Sequence, residues 1–311
     1  MKTFDKKIKI SGVGVHSGAP VTMVIKPSGQ YGIFFKRVDL AGSGLIPATY
    51  DNVGVATLRN TTVGDPSGAH VQTIEHLMAS LFIMGVDSAI IEIDGPETPI
   101  LDGSAAEFLK TFQQEKIINK GSMKKIIVKK EIIVTKKEIL KKLPLFTRIT
   151  VIVHDWLMKR RNNGFTRLTP RARGLNIVAT MDYPDKVIGK QTFEFLFDES
   201  KKSVDGFNTN ISRARTFGRY SEWEYLKSRG MGRGANENNV IALNDKGDGT
   251  LNKLNWPDEF VRHQIIDVLG DMYTSGGFIV GNLEMYKGGH AMNNLVLKKL
   301  FSDPSNYDII D

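Results

Sequence analysis

The stretch Pro257-Asp258-Glu259-Phe260-Val261-Arg262-His263-Gln264-Ile265-Ile266-Asp267-Val268-Leu269-Gly270-Asp271 decides how this chain is read. Proline suits the first helical position, because the N–H it lacks is one that a helix start leaves unpaired anyway. Asp258 and Glu259 then complement the positive end of the helix dipole. At 3.6 residues per turn, His263, Asp267 and Asp271 stack on one face. An imidazole and a carboxylate four residues apart form half of a metal site, since two donors converge before any other element arrives. A core histidine held by an ordinary aspartate has the same spacing, so this helix alone leaves both readings open.

Outward from it, residues 71–84, VQTIEHLMASLFIM, read as a second helix, apolar almost all round and hence buried between layers. Glu75 and His76 lie near its start, where buried ionisable neighbours are costly unless paired or metal-bound. After the first helix come a strand over 278–286, a turn at Gly288-Gly289 and a further helix from His290 towards Leu300. Each half of the chain thus carries a histidine-bearing helix followed by an apolar strand, the first at 89–93 and the second at 278–285. The fold class that follows is α+β, with two related halves packed face to face and the chemistry between them.

The remaining segments fit that frame. Ile8 and Ile10 alternate with Lys7 and Lys9, as on a half-buried strand. The glycines around His16 mark a tight loop over 12–18, with His16 read as a loop residue satisfied by backbone. Further strands are expected at 21–25, 33–35, 126–134, 149–153, 176–181 and 239–243. Ser104-Ala105-Ala106-Glu107 has the form of a capping box opening a helix to about Glu115. Residues 119–122 read as a linker, 154–166 as an exposed excursion, and 222–229 as a short helix.

Composition bounds the function classes. A chain of 311 residues makes two domains or one large one. No run approaches the roughly 18 apolar residues that a membrane span needs. The opening MKTFDKKIKI lacks an apolar signal core, so a cytoplasmic location is expected. With no cysteine, any metal must be held by His, Asp or Glu. The net charge is +8, much of it in Lys124, Lys125, Lys129, Lys130, Lys136, Lys137, Lys141 and Lys142. Nucleic acid, an anionic membrane surface and phosphorylated substrates all suit such charge. These pairs flank apolar pairs as on strands and a hairpin, so a solvated face is the preferred reading. The absence of interleaved aromatics disfavours nucleic acid.

His76, His263 and Asp267 make a three-donor set with a fourth position open, the pattern of catalytic zinc. Glu75, beside a ligand, is placed to take a proton from water. His290 follows two glycines, where backbone can approach a substrate. Asp271, a turn beyond Asp267, is placed to hold His290 protonated as an acid or oxyanion stabiliser. The chemistry implied is hydrolysis of an amide or ester.

Six segments in order carry a family resemblance. They are Gly12-Val13-Gly14-Val15-His16-Ser17-Gly18, Thr73-Ile74-Glu75-His76-Leu77, Asp102-Gly103-Ser104-Ala105-Ala106, Ser212-Arg213-Ala214-Arg215-Thr216-Phe217-Gly218, Val261-Arg262-His263 with Asp267 and Asp271, and Lys287-Gly288-Gly289-His290-Ala291-Met292-Asn293-Asn294. Over nearly its whole length the chain resembles the UDP-3-O-acyl-N-acetylglucosamine deacetylases, zinc enzymes of lipid A biosynthesis. The resemblance implies two similar domains, at 1–120 and 121–311, each a sheet with two helices, with the helices sandwiched between the sheets. It implies Zn2+ on His76, His263 and Asp267, Glu75 as general base, and His290 backed by Asp271. Thr216 would donate to the oxyanion and Phe217 would line the substrate cleft. An insert at about 219–243 would form the acyl passage, where Tyr220 and Trp223 would limit the chain accepted. Where the family usually has a substrate-binding lysine after the second zinc histidine, this chain has Gln264, and Lys287 or Arg262 would compensate. The implied partner is the acylated UDP-sugar, with peripheral contact to the inner membrane and no obligate protein partner. Other readings stay open: a zinc amidohydrolase on another acylated amine, or a non-catalytic binder of nucleotide sugar or membrane surface in which Gln264 marks lost catalysis.

Overall fold

The structure is a computed structural model that describes residues 1–54, 60–65, 67–119, 121–142 and 163–310. The first half builds a five-stranded sheet in the order Ile8–Val13, Pro20–Pro27, Ser88–Ile93, Gly32–Arg37, Ile46–Pro47. Its alternation is the expected one: Ile8 and Ile10 are buried while Lys7 and Lys9 face solvent. The central strand, Ser88–Ile93, pairs antiparallel to Pro20–Pro27 and parallel to Gly32–Arg37.

A seven-stranded sheet occupies the second half, organised around Phe278–Tyr286. One edge of that strand is shared, with Phe278 to Val280 pairing Lys125 to Ile127 and Asn282 to Tyr286 pairing Phe165–Thr169. Leu175–Asp182 runs parallel along the other edge and carries Lys190–Phe197 outside it. Burial over most of its length suits FIVGNLEMY to this position, since a strand with neighbours on both edges and layers on its faces wants apolar residues throughout.

Seven helices complete the described residues: α1 (Glu75–Met84), α2 (Ala106–Phe112), α3 (Lys136–Lys142), α4 (Lys201–Asn210), α5 (Tyr220–Ser228), α6 (Glu259–Tyr273) and α7 (His290–Phe301). The fold is α+β, with α1 and α6 packed on each other between the sheets and one continuous apolar core running through both layers. Every residue of α1 but Met84 is buried, and every residue of α6 but Arg262 and Gln264. Two helices meet this closely because Gly270 has no side chain. A Cβ there would lie 2.0 Å from the Glu75 carbonyl oxygen, so only hydrogen fits between the backbones. Helices α1 and α6 each lead into an inner strand of their own sheet, as the repeat in the sequence suggests.

Several expectations need correction. The first helix begins at Glu75, not at residue 71, because Thr73 is left-handed at φ 58° and Val71 is in a short strand. Pro257 precedes the helix, whose N-cap is Asp258. Glu259 does more than face a dipole: it is fully buried and pairs with Arg215 at 2.9 Å. Ser104 forms no capping box with Glu107; its hydroxyl donates to Asp102 and accepts from the Ala106 N–H, and α2 ends at Phe112. The lysine-rich segment is not a hairpin. Lys125–Val128 pairs with Phe278–Tyr286 and with Tyr307–Ile310, Ile132–Thr135 pairs with Phe165–Thr169, and Lys136–Lys142 is helical. Ile117–Asn119, at the expected linker, returns to pair with Lys2–Phe4. The expected strand at 149–153 and residues 154–162 of the excursion lie outside the described residues. Lys190–Phe197 is a strand not expected above, although Phe193, Phe195 and Phe197 alternate along it with outward-facing residues; α4 lacks a sequence signal because it is largely solvated, burying only Ser203 and Phe207.

Candidate metal centre

α1 and α6 bring the donors together from opposite halves of the chain. The rings of His76 and His263 are 4.9 Å apart, centre to centre and nearly perpendicular. Nε2 of His76 is 3.7 Å, and Nε2 of His263 3.4 Å, from Oδ1 of Asp267. One ligand atom from each of the three residues lies within 4.8 Å of the others. Donors at bonds of about 2.0–2.2 Å to a tetrahedral ion stand roughly 3.3–3.6 Å apart, so the triangle fits a cation of that size.

Tautomer chemistry supports the fit. His263 Nδ1 is 2.9 Å from the Ala214 carbonyl oxygen, to which it donates, leaving a lone pair on Nε2. That lone pair faces a carboxylate oxygen with no proton between them, a contact a cation relieves. His76 is kept neutral: burial drives its pKa well below the ordinary imidazole value, with the neighbouring His263 and His290 rings acting in the same direction.

Glu75 is buried, and its Oε2 accepts from the Thr61 N–H at 3.0 Å. Burial pushes its pKa up to about 8, with Asp267 and Asp271 adding and the charge of His290 opposing. His290, at the first position of α7, is held by Asp271, whose Oδ2 is 2.9 Å from Nδ1. Burial works against charge on this ring, but the charge and hydrogen bond of Asp271 outweigh it and hold the pKa well above the ordinary value. Asp271 is itself surrounded. Thr61 Oγ1 donates to its Oδ1 at 2.5 Å, and Asn293 Nδ2 donates to its Oδ2 at 2.9 Å.

The other sequence-derived residues fall at varied distances from this cluster. The ring of Phe217 is 6.4 Å from His263 and 5.1 Å from Phe260. Thr216 ties the loop through backbone, donating to Gly103 and accepting from Ile241, both at 2.8 Å. Gln264 turns inward, its Nε2 donating to Asp267 Oδ2 at 3.0 Å. Lys287 is 3.3 Å from Asp182. Arg262 is occupied by Asp258 at 2.7 Å and stacked over Phe193 and Trp256. Trp223 is buried in a small apolar cluster with Val15, Ile100 and Val240, and Tyr220 stays exposed.

Four supporting groups escaped the sequence reading: Thr61, Asn293, Glu97 and Glu259. Buried Glu97 receives the backbone N–H groups of His16 and Ser17 and the hydroxyl of Thr73, so a side-chain carboxylate rather than backbone anchors the expected loop around His16. The same loop takes the insert, with Arg233 donating to the His16 carbonyl and Gly234 to that of Val15. Glu259 receives both the backbone N–H and the guanidinium of Arg215, fixing the loop that presents Ala214. A buried acid one turn before the metal-site histidine was a legible signal; the other three depend on contacts far along the chain.

Comparisons with known proteins agree with this geometry. Residues 1–302 match the family model described as UDP-3-O-acyl N-acetylglycosamine deacetylase. A UDP-3-O-acyl-N-acetylglucosamine deacetylase from Myxococcus xanthus is 38% identical over 310 residues, covering 99% of this chain and 88% of that protein. Those from Bdellovibrio bacteriovorus and Neisseria meningitidis serogroup C are each 34% identical, covering 98% and 100% of this chain and 91% and 92% of theirs.

Proposed function

The chain belongs to the UDP-3-O-acyl N-acetylglycosamine deacetylase family, and from that premise we propose how its residues remove the acetyl group. The substrate is UDP-3-O-acyl-N-acetylglucosamine, and the step lies in lipid A biosynthesis. His76, His263 and Asp267 would hold the metal, and two buried imidazoles with one carboxylate suit zinc. Bound there, zinc supplies a Lewis acid that lowers the pKa of water towards about 7 and polarises the acetamide carbonyl.

Glu75 accepts a proton from the water whose oxygen adds to the carbonyl carbon. Its elevated pKa suits this, since a base works best with a pKa near the working pH. His290 enters the reaction protonated, faces the developing oxyanion and gives its proton to the departing nitrogen as the C–N bond breaks. The products are acetate and an ammonium group, the released amine taking up the proton that acetic acid sheds; the Glu75 proton returns His290 to its starting state through solvent. Asp271 keeps His290 charged, and Thr61 and Asn293 keep Asp271 aimed. Thr216 adds a hydroxyl donor to the oxyanion, Phe217 walls the cleft, and residues 219–243 pass the acyl chain, with Tyr220, Trp223 and Lys287 near its route.

No helix among the described residues is long and apolar enough to cross a membrane. A cytoplasmic protein touching the inner membrane peripherally suits an acylated substrate that partitions to a bilayer surface. We divide the chain near residue 120, because Ile117–Asn119 closes back on Lys2–Phe4 before Lys125–Val128 enters the second sheet.

The observation that carries the mechanism is the meeting of two imidazole nitrogens on one aspartate oxygen, beside a buried acid and a buried His–Asp pair. Glu75→Ala is expected to lower kcat about 10²- to 10⁴-fold while leaving zinc at one equivalent by elemental analysis. Near-normal turnover in that variant would remove Glu75 as the base. An absence of deacetylation by the zinc-loaded wild type would favour a binding role instead.

A further inference from the structure

We propose that Gln264 is a positioning residue for the metal ligand Asp267 rather than a group that holds substrate. The inference rests on the metal reading of His76, His263 and Asp267. The two oxygens of Asp267 are used differently. Oδ1 faces both imidazole Nε2 atoms, at 3.4 and 3.7 Å, while Oδ2 accepts a hydrogen bond from the Gln264 amide at 3.0 Å. A carboxylate with both oxygens free rotates about its Cβ–Cγ bond and presents either oxygen, or both, to an ion. Holding Oδ2 removes that freedom and leaves a single ligand atom pointed at the shared position.

The placement of Gln264 also argues for this. It is three residues before Asp267, so the two side chains meet on one face of α6. Gln264 and Arg262 are the two residues of α6 that are not buried, and Arg262 is engaged with Asp258 and the Asn210 carbonyl. Gln264 is therefore at the rim of the centre, with its polar end committed inward. A neutral amide donates to Oδ2 without adding a second positive charge next to the metal, so it restrains the carboxylate and leaves the Coulomb attraction for the ion intact. At the position where the family usually carries a cation for its substrate, this chain has a group that serves the metal.

Gln264→Met, close in length but without a donor, is expected to raise the zinc Kd about 10- to 100-fold, the usual cost of losing a hydrogen-bonded support of a ligand. Competition against a fluorescent zinc chelator measures this. The melting temperature of the metal-free protein should stay unchanged, and KM at saturating zinc should stay within about twofold, both because the contact is to the ligand. A zinc Kd for Gln264→Met within twofold of wild type, or a raised KM with unchanged zinc affinity, would overturn the assignment and return Gln264 to the substrate. His263→Ala separates the two levels of inference. Stoichiometric zinc in that variant would sink the metal reading itself, whereas its loss there together with normal binding in Gln264→Met would sink only the role of Gln264.

Discussion

Asp271 converts His290 from an imidazole that burial would leave neutral into a cation. Replacing it with asparagine keeps the shape and removes the charge. The His290 pKa should then fall, because the opposite charge in contact with it is gone. In the proposed mechanism activity needs His290 protonated and is lost as pH rises through its pKa, so the basic limb of the kcat/KM profile should move to lower pH. An unmoved limb in Asp271→Asn would remove His290 from the acid role. Glu75 titrates in the opposite sense. In the metal-free protein its pKa is about 8, raised chiefly by burial. A nearby cation favours the carboxylate, so metal uptake at about pH 7 should release protons and tighten as pH rises towards 8. Calorimetric titrations in buffers of different ionisation enthalpy test this, and equal heats in all buffers would contradict it. At this scale the sequence pointed to His263, Asp267 and Asp271 through helical spacing, to Glu75 and His76 through costly burial, and to His290 through the two glycines before it. Thr61 and Asn293 were silent, because a threonine or asparagine has no pattern of its own. Their role exists only once residues 61, 271 and 293 meet.

Helix α1 places Glu75 and His76, and α6 places His263 and Asp267, so the centre is only as good as the contact between them. Gly270 governs that contact. Gly270→Ala puts a methyl group 2.0 Å from a backbone oxygen that no rotamer change can move. It should cost about 1–3 kcal/mol, as overpacked cores do, and weaken zinc binding as well, because separating the helices widens the donor triangle. Thermal melting and chelator competition read the two effects. Normal zinc affinity in a destabilised Gly270→Ala protein would show that the triangle tolerates helix movement. Both helices were legible from apolar periodicity, but their starts were not. Thr73 adopts its left-handed backbone under the hold of Glu97 and Asn60, and Pro257 lies outside because the cap moved to Asp258. The lysine-rich segment misled because a strand pattern does not say which partner it pairs with. Lys125–Val128 found the long strand of its sheet and the chain end, not its neighbour in sequence.

Across the whole molecule, a metal on His76, His263 and Asp267 would join halves that the sequence presents as repeats. Anything that binds the native state and not the unfolded chain stabilises it by mass action, about 2.7 kcal/mol at a hundredfold excess over Kd. Chelation should therefore lower the melting temperature of the entire protein in one transition, because the core is continuous. A fall confined to a second, separate transition would mean that the halves unfold independently of the ion. The two-sheet plan was readable from the echo of helix and strand. The edge strand Lys190–Phe197 was legible too, in the alternation of Phe193, Phe195 and Phe197 with outward-facing residues, although it was not among the strands expected.

The bare backbone contact at residue 270 also limits where this architecture can change. With one hydrogen atom as the spacer between helices, the floor of the cleft behaves as a machined seat, and any added carbon shifts an entire rod. If residues 219–243 pass the acyl chain as proposed, adaptation to a longer or shorter lipid tail would fall to them and the loop they rest on, away from the helix contact.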